Sequence, residues 1–370
     1  MKSRPFSLIP LTAAFVAAGC NPASIPTDAA SSSKLAVNAA SVSVFATGLE
    51  YPRGLIFGPD GTLYVAEAGT AGTAFTTPEQ CAQADPPVGP YHNGPTGRIS
   101  RIDRDGHRTT LAEGFPSAIN QFGDVQSVAD LAFLGDKLYA LIAGGGCSHG
   151  SPDVPAGIAQ VNRSGGWTIT ADLSAFQAAN PVANPGPPGD FEPDGSWYSL
   201  IRSGKSLIAV EPNHGEVVRI NPSTGAISRI IDISATQGHI VPTVIVRRGD
   251  AFYLSNLGVF PVVPGLETIF RLSPSRKLTV VAPGFTTVLG LDFDRAGRLY
   301  VLESSSVAGF PTPGTGRVIR LDQQGNRDVV VDGLFLPTAI QFGPDGLLYI
   351  SNKGFGPPQP GEILRASVQN

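Results

Sequence analysis

Leu299-Tyr300-Val301-Leu302 decides the fold, because the chain repeats this pattern. It recurs as Leu63-Tyr64-Val65-Ala66, Leu138-Tyr139-Ala140-Leu141, Leu207-Ile208-Ala209-Val210, Phe252-Tyr253-Leu254-Ser255 and Leu348-Tyr349-Ile350-Ser351, six copies in all. The last three steps between copies are 45, 47 and 49 residues (Leu207 to Phe252, Phe252 to Leu299, Leu299 to Leu348). A four-stranded propeller blade has this length. The first two steps, 75 and 69 residues, are stretched by insertions rich in glycine and proline.

Outward from each copy, a further strand repeats: RISRID from Arg98, GIAQVN from Gly157, EVVRIN from Glu216, TIFRLS from Thr268, RVIRLD from Arg317 and EILRAS from Glu362. Apolar and polar residues alternate in each, the period of a half-buried strand. Before the first and last copies lie Gly58-Pro59-Asp60-Gly61 and Gly343-Pro344-Asp345-Gly346. Proline presets one turn dihedral and glycine accepts the positive one, so these are hairpin turns. The sixth unit ends without a fourth strand. Ser43-Val44-Phe45-Ala46-Thr47-Gly48, ahead of the first unit, is a spare one. Placing it in the last blade closes the ring and removes two exposed edges. The expected fold is all-β: one six-bladed propeller of four-stranded blades over residues 41–370. The tyrosines Tyr64, Tyr139, Tyr253, Tyr300 and Tyr349 repeat with the blades and read as blade-to-blade packing.

Composition agrees. Of 370 residues, 44 are glycine and 33 proline, and only 15% are charged, which suits short strands and tight turns rather than helices or disorder. A net charge of −4 gives no basic footprint and points away from nucleic acid. Lys2 and Arg4 precede an apolar run, Leu8 to Ala18, too short to span a bilayer. The run ends in Val16-Ala17-Ala18-Gly19-Cys20, which resembles a bacterial lipoprotein signal (residues 1–20) with Cys20 the lipidated residue, although Ala17 stands where leucine is usual. The other reading is an ordinary secretory signal. Residues 21–40, rich in Ala, Ser and Pro, read as a tether. The expectation is therefore a monomer exported to the bacterial cell envelope and anchored to the membrane through Cys20, its lipid chains holding it there. Cys81 and Cys147 lie in loops, and export permits a disulfide between them. Separate thiols, or joint metal ligation with a nearby histidine, are the alternatives.

Tyr51-Pro52-Arg53-Gly54-Leu55 with FGPDGTLYVAEAG resembles NHL and SMP-30/gluconolactonase-type six-bladed propellers. Gly94-Pro95-Thr96-Gly97-Arg98, Asp190-Phe191-Glu192-Pro193-Asp194-Gly195, Val241-Pro242-Thr243, Leu336-Pro337-Thr338 and Leu299-Tyr300-Val301-Leu302-Glu303, in that joint order, are similar to the ScyD/ScyE family. That resemblance implies a six-bladed propeller outside the cytoplasm and no particular activity.

In such rings the loops after the second strands and before the first strands share the face around the channel mouth. Candidates there are the second-strand ends Glu67, Glu211, Asn256, Glu303 and Asn352. The loops ahead of the first strands add Arg53, Asn120, Asp190, Glu192, His239, Thr243 and Thr338; Asp130 and Asp292 lie nearest the axis. Arg53, Glu67, Asp130, Glu192, His239, Glu303 and Asn352 are the expected ligand contacts. Oxygen ligands converging on one axis would suit Ca²⁺. The gluconolactonase resemblance implies Glu67, with Asn256 and Asn352, as a metal set that would polarise a lactone or ester carbonyl. No G-x-S-x-G, H-E-x-x-H or P-loop occurs. Two functions follow: a module binding a small molecule or envelope protein, or a metal-dependent hydrolase of lactones or esters.

Overall fold

The computed structural model describes residues 41–368. The signal segment with Cys20 and the tether lie outside them. Six antiparallel sheets stand in a ring. Blade 1 runs through Pro52–Phe57, Leu63–Glu67, His92–Ile102 and Arg108–Ile119, and blade 2 through Val128–Leu134, Lys137–Ile142, Gly157–Val161 and Trp167–Asp172. Blade 3 is Ser199–Ser203, Ser206–Glu211, Glu216–Asn221 and Ala226–Asp232, and blade 4 is Pro242–Arg248, Ala251–Asn256, Glu267–Leu272 and Leu278–Phe285. Blade 5 is Val288–Phe293, Leu299–Glu303, Gly316–Leu321 and Arg327–Leu334. Blade 6 takes Ala339–Phe342, Leu348–Asn352 and Gly361–Ser367 from the end of the chain and its outer strand, Ser41–Leu49, from the beginning. Ser41 pairs with Ser367 and Leu49 with Gly361, so the ring closes as its sequence repeats imply.

The repeated tyrosines bind blade to blade. Four of the five meet, edge to face, a phenylalanine at or next to the end of the inner strand of the following blade: Tyr64 with Phe133 at 5.2 Å, Tyr253 with Phe293 at 5.1 Å, Tyr300 with Phe342 at 4.8 Å and Tyr349 with Phe57 at 4.9 Å. Such pairs contribute about 0.5–1.5 kcal/mol beyond the area they bury. Small residues fill the space between sheets, as with Ala129, Ala132, Ala143 and Ala171 around Trp197.

Blade 1 departs from the regular unit. Its third strand starts at His92, six residues before the Arg98 that the repeat suggests, and a short strand, Val125–Gln126, adds a fifth member. Register shifts between Gly94 and Arg98 take up the extra residues. A Cβ at Gly97 would stand 1.8 Å from Oγ of Ser127, so only glycine fits between this strand and the start of blade 2. Among the described residues no helix is long and apolar enough to cross a membrane.

Candidate functional site

The second-strand ends have a different job from the one their position suggests. Glu67 is fully buried. Its Oε2 accepts the Glu50 amide (2.6 Å) and the Arg98 guanidinium (2.8 Å), while Oε1 accepts from the Ser100 hydroxyl and from Arg108 (3.1 Å). Glu303 accepts the Thr286 amide at 2.8 Å and Arg317 at 2.6 Å. Glu211 accepts the amides of Ser196 (2.7 Å), Asn213 (3.0 Å) and His214. Asn256 donates to the Ile240 carbonyl (3.0 Å) and to Glu267, and its Oδ1 accepts the Thr268 amide (3.1 Å). Asn352 accepts the Phe335 amide (2.9 Å) and donates to Glu362 (2.8 Å). One device recurs in five blades. A polar residue at the strand end holds the backbone of the loop 15 to 17 residues earlier. Four of the five also use a partner on the adjacent third strand, while Glu211 accepts the loop amides of Asn213 and His214 instead. Blade 2 carries Ile142 in the corresponding place, opposite Gly157.

This corrects the expected metal set. The Glu67 oxygens already face two guanidiniums, which repel a cation, and the Asn256 and Asn352 oxygens each accept an amide of their own blade. The donor set does not fit a hard cation on the axis. Glu67, Glu303 and Asn352 likewise leave the ligand-contact set. Among the described residues, the group of acidic and imidazole side chains whose ligand atoms lie within 4.8 Å of one another is Asp103, Asp105 and His107. It is exposed in the turn between the third and fourth strands of blade 1, at the end of the blade away from the channel mouth. There Asp103 already accepts the amides of Asp105 and His107 at 2.9 Å each.

The channel is a cavity of about 170 Å³ walled by the inner strands of all six blades. Most of its lining is Leu, Ile, Val and Ala, interrupted by polar side chains that include Asp130, Asp292, Arg202 and Gln341. The two aspartates come from blades 2 and 5, which face each other across the ring. Burial lifts both of their carboxyls, Asp130 to about 7 and Asp292 to about 6, although amide donors pull the other way. Asp130 accepts the amides of Leu131 (2.8 Å) and of Leu200 in blade 3 (2.7 Å). Asp292 accepts those of Phe293 (2.8 Å) and of Phe342 in blade 6 (2.7 Å). Gly54 must lack a side chain here, since a Cβ would stand 2.1 Å from Asp130 Oδ1.

At the mouth, beside Gly54, the buried Arg53 donates to Asp124 at 2.7 Å and to the Val125 carbonyl. Tyr198, whose phenol burial pushes upward, donates to the Thr338 carbonyl at 2.9 Å. Thr338 and Thr243 use their hydroxyls to tie blade to blade, through the carbonyls of Pro52 and Val288 at 2.6 Å each. Further out, Glu192 joins three loops. Its Oε2 accepts the Tyr91 hydroxyl (2.8 Å) and Gln126 (3.1 Å) and lies 3.1 Å from His149 Nε2. Burial lowers the basicity of His149, but the hydrogen bond and charge of Glu192 outweigh it and raise the imidazole above its ordinary value. His239 pairs with Asp190 at 2.7 Å at the edge of this face. Cys81 and Cys147 form a disulfide, Cα to Cα 6.3 Å, so the blade 1 insertion is fastened to the blade 2 loop. Of the expected ligand contacts, Arg53 and Asp130 therefore border the channel, Glu192 and His239 lie outside it, and Tyr198, Asp124 and Asp292 complete the site.

No protein family and no curated protein sequence matches this chain. Solved structures do. A calcium-binding protein, regucalcin, from Agrobacterium tumefaciens aligns with a TM-score of 0.55 at 15% identity, over 89% of this chain and 94% of that one. A gluconolactonase from Xanthomonas campestris aligns with a TM-score of 0.53 at 12% identity, over 90% and 91%. A streptogramin B lyase aligns with a TM-score of 0.50 at 13% identity, over 89% and 98%. At these identities the likeness is one of fold: the chain shares the propeller architecture of SMP-30/gluconolactonase-type and NHL-like proteins.

Proposed function

We propose that the protein acts on a small organic molecule at the mouth of its channel, with hydrolysis of a lactone or ester as the reaction class. The observation that carries this reading is the pair Asp130 and Asp292, two carboxyls lifted towards neutrality on opposite walls of the same cavity. Groups of this kind suit proton transfer near neutral pH. Asp130, as the carboxylate, would take a proton from water as the water oxygen adds to the carbonyl carbon and the C=O pair moves onto the carbonyl oxygen. Re-forming the carbonyl then breaks the acyl C–O bond, and the protonated Asp130 returns its proton to the departing alkoxide, with Arg53 and Tyr198 lining the approach. The neighbours named gluconolactonase and regucalcin favour this class over an accessory role in the cell envelope. Calcium, expected from the same kinship, has no place at Glu67, Asn256 and Asn352.

The test is turnover of aliphatic and aromatic lactones and p-nitrophenyl esters by the whole chain, with Ca²⁺ or EDTA, beside Asp130→Asn and Asp292→Asn. Turnover that rises to a plateau above about pH 7, survives EDTA and falls by about 10²-fold or more in Asp130→Asn is the expected result. Full activity in both variants would exclude the mechanism. Location in the envelope through a lipidated Cys20, and kinship with the ScyD/ScyE family, belong to the same proposal. Incorporation of labelled palmitate, lost in Cys20→Ser, tests the anchor.

A further inference from the structure

Three phenylalanines on the channel face are out of place in water. Phe122, Phe260 and Phe310 are 49%, 43% and 59% exposed, yet they gather together. Phe260 stacks on Phe310 with ring centroids 5.7 Å apart, and Phe310 meets Phe122 at 6.1 Å. They come from three separate loops: the one leading into blade 2, and those after the second strands of blades 4 and 5. Blades 2 and 5 face each other across the ring, so a contact between their loops lies over the channel mouth.

The loops are built to hold this placement. Asn120 Oδ1 accepts the amides of Phe122 and Asp124 at 3.0 Å each, fixing the turn that presents the Phe122 ring. The same turn supplies Asp124 to Arg53. Val262 and Gly309 exchange backbone hydrogen bonds at 2.7 and 3.0 Å, joining the loops of blades 4 and 5 beside Phe260 and Phe310. Aromatic rings left half in water on well-bonded turns forgo burial that phenylalanine otherwise seeks. The channel cavity of about 170 Å³ has room for one aromatic ring, its apolar wall interrupted by Asp130, Asp292, Arg202 and Gln341.

We propose that Phe122, Phe260 and Phe310 form an aromatic arch that stacks on a planar, unsaturated ring of the ligand and seats it at the channel mouth. This rests on the small-molecule reading above and names its substrate class. Cavity size commits the site to a small molecule rather than to a protein segment.

The experiment separates binding from turnover. 2-Naphthol and cyclohexanol are titrated into the whole chain by calorimetry, and into Phe122→Ala, Phe310→Ala and the double variant. Expected is binding of 2-naphthol at least about tenfold tighter than cyclohexanol, weakened about five- to tenfold by each single change, with Tm within a degree or two because the rings are exposed. Equal binding of the two alcohols, no binding of either, or indifference to both substitutions would overturn the arch. So would a dimer that the substitutions abolish, since the rings would then be covered by a second copy. Absence of hydrolysis with naphthol binding intact would strike the reaction class and leave the arch standing.

Discussion

Glu67 at a strand end and Asp130 on the channel wall spend a buried carboxylate in different ways. Glu67 sits among two guanidiniums, a hydroxyl and an amide, and every oxygen of it serves the blade. Asp130 has two backbone amides and a weak serine contact at 3.4 Å, faces a cavity and is lifted to about 7. A polar strand-end residue tied to its own loop recurs in five blades, three times as a carboxylate; a lifted, cavity-facing carboxyl occurs in two. What most blades carry belongs to the ring, and what breaks the repeat marks the site. The same contrast separates the tyrosines between blades from the three exposed phenylalanines, which follow no repeat.

The comparison breaks first at Glu67. Replacing it with alanine takes the buried carboxylate from Arg98 and Arg108 and leaves Arg98 only Glu50 at 3.3 Å, a loss of about 3–5 kcal/mol by urea unfolding. A loss below about 1 kcal/mol would return Glu67 to the list of free ligands. Next comes the disulfide. Its cysteines are 66 residues apart, and Cys81→Ser with Cys147→Ser is expected to cost about 2–4 kcal/mol and to open the blade 1 insertion to proteolysis. Unchanged stability and protease resistance would mean that the surrounding loops hold the insertion alone.

The channel carboxyls sharpen the contrast through pH. Both hold protons more tightly folded than unfolded. Their stabilising contribution is therefore complete below about pH 4 and is lost as pH rises through about 6 for Asp292 and about 7 for Asp130. Wild type should lose stability across pH 4–7 relative to Asp130→Asn/Asp292→Asn. Parallel curves would remove the lifted carboxyls. The smallest effect is at His239→Ala, an edge pair with a half-exposed Asp190, worth less than about 1 kcal/mol.

The ring was legible in the sequence because it rests on spacing. The LYV-type strands, the hairpin turns and the spare strand at Ser43 fix the blade count and the closure without any contact being known. The site was legible only as a face. That Glu67 ends a strand can be read from its neighbours, but Arg98 and Arg108, 31 and 41 residues on, determine where its carboxylate is spent. Tyr91 and Glu192, 101 residues apart, join through a loop path that no periodicity encodes. Phe122 and Phe310 sat in glycine-bearing loops with no pattern to single them out, and only the folding of blades 2 and 5 across the ring brings them together.

The most direct test sets Glu67→Gln beside Asp130→Asn at pH 8, measuring urea stability and lactone turnover of the whole chain. Glu67→Gln should lose stability but keep its turnover per folded molecule within about twofold. Asp130→Asn should be no less stable than wild type at this pH, where wild type has lost the contribution of its protonated carboxyl, and should lose about 10²-fold or more in turnover. A Glu67→Gln protein that is stable and inactive, beside an active Asp130→Asn, would contradict it.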